Sequence, residues 1–403
     1  MIRSITLENF FSFKEETIID LTDINILLGI NGSGKSTLLK AIRLLHEAVA
    51  GVGFENIFQK EWGGFNQVVN TNGGHAKFIK IKYKLDAEAL NKTKPSRSSF
   101  KYPYNPTYQI TIHPIGLVGY YLSEILFVED KLLEEKTRYI TDKPIGTEVA
   151  EFDRKGKLIE YKHIDDISFQ ESVLQQISDR SRYPYMYMLK EAIKQISVYD
   201  YFNTSSASPI RKPSDYSTET VLNRTGDNLA QVLSKLQINN SLAYDEIEKL
   251  LQRVNPNFKS IQFEQFPSQI YLSLKESNLN KTIGASHISD GTLRFLLYMT
   301  MLYNPNRGGL ICIDEPENGL HPDMINTLAQ AVKHASQTTQ ILIATHSPLL
   351  VNCFELEDIL VFEKDAENKT VVTRKSEDEF EDWEGEFIPG QMWIRGQLGG
   401  KRW

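Results

Sequence analysis

The chain has 403 residues, 41% of them hydrophobic and 24% charged, enough to bury a sizeable core and hold two or three units. A net charge of −7 and a pI of about 5.7 exclude coating of nucleic acid through bulk charge, although a local basic groove stays open. Two cysteines give no disulfide framework or metal-ligand spacing, and no run approaches the ~20 apolar residues of a membrane span, so a cytoplasmic chain with no membrane partner is expected.

Residues 2 to 13 alternate like a strand and lack the charged-then-apolar form of a signal peptide. Ile24 to Leu28 reads as a second strand, and roughly 35 to 50 as a helix with Leu38, Leu39, Ile42 and Leu45 on one face. A glycine-rich connection, Trp62-Gly63-Gly64 and Asn72-Gly73-Gly74, leads to a strand over Phe78 to Leu85. Lys92 to Pro106 reads as an exposed loop, followed by strands at Tyr108 to His113 and Tyr120 to Val128. Helical patterns dominate from 165 to 255, broken by a Ser/Pro-rich loop at Asn203 to Ser217. Strands at Ile261 to Phe266 and Ile270 to Leu274 come next. The remainder alternates: helix 291–303, strand 309–313, helix 322–335, strand 340–344, helix 347–353 and strand 358–362. Such alternation predicts an α/β fold with a parallel sheet and helices on its faces. Cys312, inside one of the apolar runs, reads as packing.

Gly29-Ile30-Asn31-Gly32-Ser33-Gly34-Lys35-Ser36 closes one predicted strand and opens a helix, the position a phosphate-binding loop requires. Glycines let the backbone N–H groups of Asn31, Gly32, Ser33 and Gly34, continuing through Thr37, wrap an oligophosphate at the positive end of the helix. Lys35 then reaches the β- and γ-phosphates, and Ser36 ligates Mg2+. A glycine turn of no function is the plain alternative.

Later segments supply the partners that such a loop needs. Leu310-Ile311-Cys312-Ile313-Asp314-Glu315 is an apolar strand ending in two carboxylates. Asp314 suits a Mg2+-bound water and Glu315 a general base for the water that attacks ATP; a strand entering an acidic turn is the bland reading. Ile341-Leu342-Ile343-Ala344-Thr345-His346 repeats the pattern with a histidine at its end, placed to bond the γ-phosphate and hold the water. Ser289-Asp290-Gly291-Thr292 precedes a helix, so Ser289 and the N–H groups near Gly291 form a second anion site, or else a simple cap. One nucleotide does not need two cradles on one chain. A dimer sandwiching ATP does.

In this order, these four segments resemble the parts of an ABC-type ATPase head. The likeness is closest to the soluble RecF/SMC-like branch and, within it, to bacterial ATPases related to the overcoming-lysogenization-defect family. Ile5-Thr6-Leu7-Glu8-Asn9-Phe10, Gly284 to Phe295, Asp314 to Pro322, Val198 to Arg211, Gly226-Asp227-Asn228-Leu229-Ala230 and Trp393 to Gly400 are similar to that group. The resemblance implies an ABC-type P-loop head with a mixed core sheet flanked by helices, an antiparallel β meander and a largely helical insertion. An N-terminal ATPase lobe over 1–165, the insertion over 166–260 and a C-terminal lobe over 261–403 follow. So does ATP hydrolysis with Mg2+ by a pair of copies, controlling a separately encoded effector such as a nuclease, in antiviral defence. A RecF-like DNA-repair ATPase and an ATP-gated scaffold with little turnover are the competing readings.

Several features depart from the relatives. No long coiled coil is visible, and the glutamine that senses Mg2+ and phosphate in ABC ATPases has only Gln67 and Gln109 as candidates. Asp358 to Glu363 resembles the first strand of a metal-dependent nuclease, yet only 57 residues follow His346 (403 − 346) and no Asp-x-Asp pair appears. Glu363 therefore reads as surface. Lys92, Lys94, Arg97 and Lys101 interleave with Tyr102, Tyr104 and Tyr108, which suits single-stranded nucleic acid or, more plainly, a solvated loop. The acidic run from Ser376 to Glu386 reads as a solvated linker or a dock for a basic partner, and Trp393 and Trp403 as anchors of the C-terminus.

Overall fold

A computed structural model describes the chain except residues 71–75, 95–99, 131–134, 144–145, 154–156, 165–166, 200, 377–378, 380–387 and 400–403. Its centre is a six-stranded sheet in the order Ile196–Tyr199, Leu310–Asp314, Gln340–Thr345, Ile24–Leu28, Ile359–Lys364, Thr370–Arg374. The first five strands run parallel and the last is antiparallel.

The near-continuous apolar character of these strands has a direct cause, because both faces of the sheet are covered. Leu27, Cys312, Leu342, Ala344, Leu360 and Phe362 join one core with Leu38, Leu39, Ile42 and Leu45 of the helix Lys35–Val49. Their neighbours Ile26, Leu28, Ile311, Ile313, Ile341, Ile343, Ile359 and Val361 point the other way. They pack beneath the helices Asp290–Tyr303 and Pro322–Ser336.

An eight-stranded antiparallel sheet lies beside this core, ordered Thr17–Asp20, Ile2–Glu8, Ile79–Leu85, Thr107–Ile115, Gly119–Asp130, Glu135–Lys143, Gly146–Phe152, Leu158–His163. In Ile79–Leu85 the residues Ile79, Ile81, Tyr83 and Leu85 are buried and the three intervening lysines half-buried, a period of two. Tyr83 donates its hydroxyl to the Ala41 carbonyl at 2.7 Å, fastening the meander to the helix that follows residues 29–34. A small third sheet pairs Phe258–Gln265 with Gln269–Glu276, as the sequence predicts apart from end residues.

Several expectations are corrected. The strand predicted to reach residue 13 stops at Glu8, because Asn9 and Phe11 adopt positive φ (56° and 48°) and turn the chain. The region expected to be helical holds Pro184–Ile193, Leu229–Asn239 and Ser241–Val254, yet also the edge strand Ile196–Tyr199 of the central sheet. The helix predicted over 347–353 is a single turn, Pro348–Val351. Two of the rings assigned to an exposed basic loop are core residues. Tyr102 is buried and donates to the Tyr185 carbonyl, and Tyr108 is buried and donates to Glu124. Arg97, Asn72 to Gly74, Trp403 and most of the acidic run lie outside the described residues.

Glu363 is half-buried, with the turn at Gly399 so near that a Cβ there would sit 2.8 Å from its carboxylate. Trp393 is buried in the second core. No helix among the described residues is long and apolar enough to cross a membrane.

Candidate active site

Register brings the chemistry together. Thr345 pairs with Leu28 and Ala344 with Asp314, so three neighbouring parallel strands end at one level. The Gly29–Ser36 loop, Glu315 and His346 each follow directly from one of those ends, at the carboxyl edge where such sheets bind ligands.

Gly32 and Gly34 hold φ of 79° and 114°, a region that side chains with a Cβ avoid. At Gly34 the space is closed as well, since a Cβ would lie 2.5 Å from Thr370 Oγ1. That hydroxyl donates to the Ser33 carbonyl at 2.8 Å and lies 2.7 Å from Ser12 Oγ, so the last strand and the turn after the first one brace the loop from behind. The helix Lys35–Val49 begins with no acidic residue in its first turn and no side-chain cap. Its positive end therefore stays available to an anion. Lys35 is buried, with Nζ 2.6 Å from the Gly29 carbonyl and 3.1 Å from that of Ile30. Burial pulls its ammonium below the ordinary lysine range, while Glu315, Asp314 and Glu317 pull it upward.

Ser36 Oγ donates to Asp314 Oδ2 at 3.3 Å. Glu315 takes a φ of 47°, rare for a residue with a long side chain, and its N–H bonds Ala344 O at 2.8 Å. Its carboxylate is engaged at both oxygens. Asn318 Nδ2 donates to Oε2 at 2.7 Å, and His346 Nδ1 lies 2.9 Å from Oε1.

Ser289 and Gly291 stand on another element, the start of Asp290–Tyr303. Ser289 caps that helix through the Thr292 N–H at 3.2 Å, and among the described residues no hydrogen bond joins it to the phosphate loop. Its exposed turn is built from below by buried Arg211, which donates to the carbonyls of Ala285 and Ile288 at 2.7 Å each and to Asp290 at 2.5 Å. Of the two candidate glutamines, Gln67 is exposed on the turn Phe65–Val68, and Gln109 bonds Thr111 within the meander.

Four neighbours were not singled out in the sequence as site residues. Glu317 accepts the Thr345 hydroxyl at 2.5 Å and the His346 N–H at 3.3 Å. Asn318 holds Glu315. Arg294, buried in the helix that Ser289 caps, donates to Asn318 O at 3.3 Å, Phe202 O at 3.3 Å and the Tyr201 hydroxyl. Thr370 braces the loop as described. For Glu317, Asn318 and Arg294 the available signal was their place inside the stretches that carry the family resemblance.

Comparison with known proteins bears on family and fold. A Helicobacter pylori protein named ATP/GTP phosphatase is 22% identical over 376 residues, covering 92% of this chain and 91% of that one. The fold is shared with the Smc head bound to the C-winged helix domain of ScpA, at TM-score 0.57 and 12% identity over 95% of this chain and 99% of the other. It is shared also with a Smc head domain with an extended coiled coil, bound to the C-terminal domain of ScpA from Pyrococcus furiosus, at TM-score 0.55 and 11% identity over 94% and 98%. Residues 1–351 match the AAA ATPase domain family, so the chain belongs to that family and is an ATP hydrolase.

Proposed function

We propose that ATP lies on the Gly29–Ser36 loop of one copy and is completed by Ser289 of a second. The reading rests on two helix starts that each suit an anion and stand on different elements, one after the sheet edge and one exposed at Ser289. Lys35 and the N–H groups from Asn31 to Thr37 take the phosphates, Glu315 accepts the proton of the attacking water, and His346 orients the γ-phosphate. Ser36 and Asp314 offer oxygen ligands 3.3 Å apart, the donor chemistry Mg2+ prefers, with phosphates and waters filling the remaining positions. Mg2+ there would neutralise charge developing on the phosphates.

Closure of the pair on ATP and reopening on hydrolysis are read out by a separately encoded effector such as a nuclease, in antiviral defence. The sequence stretches similar to the overcoming-lysogenization-defect group support that assignment. Glu315→Gln should abolish turnover and trap an ATP-bound dimer, visible by light scattering after gel filtration. Wild-type turnover in that variant removes Glu315 as the base. Strong stimulation of turnover by duplex or gapped DNA would favour a RecF-like role instead.

A further inference from the structure

The carboxylate of Glu317 is placed where it can control the base. Its residue is only 9% exposed, Oε1 serves Thr345 and the His346 backbone, and Oε2 is buried with no hydrogen-bond partner among the described residues. Buried carboxylate oxygens are ordinarily served, so an unserved one marks a group waiting for a donor. A ring donor, His346, lies close by. His346 Nδ1 is 2.9 Å from Glu315 Oε1 and 3.9 Å from Glu317 Oε1, the oxygen that already accepts two donors and whose companion Oε2 is the unserved one. Taken as a hydrogen bond to a carboxylate oxygen, the 2.9 Å contact places the hydrogen on Nδ1, which faces two acceptors whose distances differ by 1.0 Å (3.9 − 2.9).

In the resting arrangement each oxygen of Glu315 accepts one hydrogen bond, from Asn318 and from His346. Donors to a carboxylate stabilise its charged form and make it a poorer base for the attacking water, even though lone pairs remain open on both oxygens. We infer that Glu317 is the alternate acceptor of the His346 ring N–H, and that transfer of this hydrogen bond from Glu315 to Glu317 frees the base. The proton stays on Nδ1 throughout; only its acceptor changes. Rotation of the half-exposed ring is sufficient, since the His346 N–H and the Thr345 hydroxyl already hold the backbone against the second carboxylate. Glu317 is thus a positioning residue acting through His346, and the inference rests on the reading of Glu315 as base.

The test uses the full chain labelled with 15N-histidine, with His346→Asn identifying the resonance. In wild type, Mg2+ with a non-hydrolysable ATP analogue should move the His346 Nδ1–H signal. In Glu317→Gln the amide oxygen stays with the Thr345 hydroxyl and the His346 N–H, an NH2 donor replaces Oε2, and the signal should keep its resting position. There kcat should fall about 10- to 100-fold, the scale of one charge-assisted hydrogen bond, with KM for ATP unchanged. Glu317→Asp should recover part of kcat. A Glu317→Gln enzyme with wild-type kcat and a normal ring shift overturns the inference. So does an equal loss in Glu317→Gln and Glu317→Asp accompanied by a lowered melting point, which would mark a structural role. Full turnover in Glu315→Gln would instead sink the reading of the base, so the two failures are distinguishable.

Discussion

Lys35 carries a charge that the ligand-free chain holds at a disadvantage. Its ammonium is buried on two carbonyl oxygens, and desolvation outweighs the attraction of three carboxylates. Phosphate would complete that environment, which is the usual opposition between a prepared site and a stable one. Lys35→Met should therefore raise the melting midpoint of the nucleotide-free protein while weakening ATP binding about 10- to 100-fold. Calorimetric melting and titration with labelled nucleotide check both halves. Gly34 is constrained by a different force. Its φ of 114° and the Thr370 hydroxyl 2.5 Å from any Cβ leave no room for alanine. Gly34→Ala should destabilise by about 1–2 kcal/mol from the backbone alone, with the loop displaced and nucleotide affinity reduced.

At the scale of elements, the turn from Glu315 to Gly319 is clamped between a strand end and the helix that Ser289 caps. Asn318 donates to the Glu315 carboxylate and its carbonyl accepts from Arg294. Gly319 has a φ of 78°, and a Cβ there would meet Arg294 Nη1, so only glycine lets the guanidinium reach that carbonyl. A shift of the helix Asp290–Tyr303 is thereby felt at Glu315, the proposed base, two hydrogen bonds away. Arg294→Met keeps the apolar stem and removes the donors. It should lower kcat about tenfold and leave nucleotide affinity near wild type, as steady-state kinetics beside equilibrium binding would show.

Elements were legible to different degrees for physical reasons. The strands at 24–28, 310–314 and 340–345 are covered on both faces, so their apolar runs speak for themselves. Ile196–Tyr199 was hidden because four residues after the helix Pro184–Ile193 show no period of their own. Tyr102 and Tyr108 misled because basic and polar neighbours colour the composition, while burial is decided by Tyr185, Glu124 and other residues distant in sequence.

For the whole molecule, the proposed pairing makes each catalytic centre the property of two chains. A Lys35→Ala chain and a Ser289→Arg chain should each be inactive alone. Mixed in equal amounts they should regain about a quarter of wild-type turnover, since half the dimers are then mixed and each mixed dimer holds one intact site of two. No recovery on mixing, with dimers confirmed by light scattering, would place Ser289 outside the partner's site.

The sequence by itself determined the chemistry on offer. Glycines before Lys35, two carboxylates after one apolar strand and a histidine after another are local patterns, written in residue types and spacing. It also carried the alternation that makes a parallel sheet. Only the tertiary structure decided which of those groups meet, because the register of strands distant in sequence puts Ser36 against Asp314, 278 residues on, and aligns Leu28 with Thr345. It alone revealed Glu317 beneath His346 and Arg294 beneath Asn318. Burial, and the hydrogen bonds that burial enforces, arise from packing and have no local signature for a sequence to display.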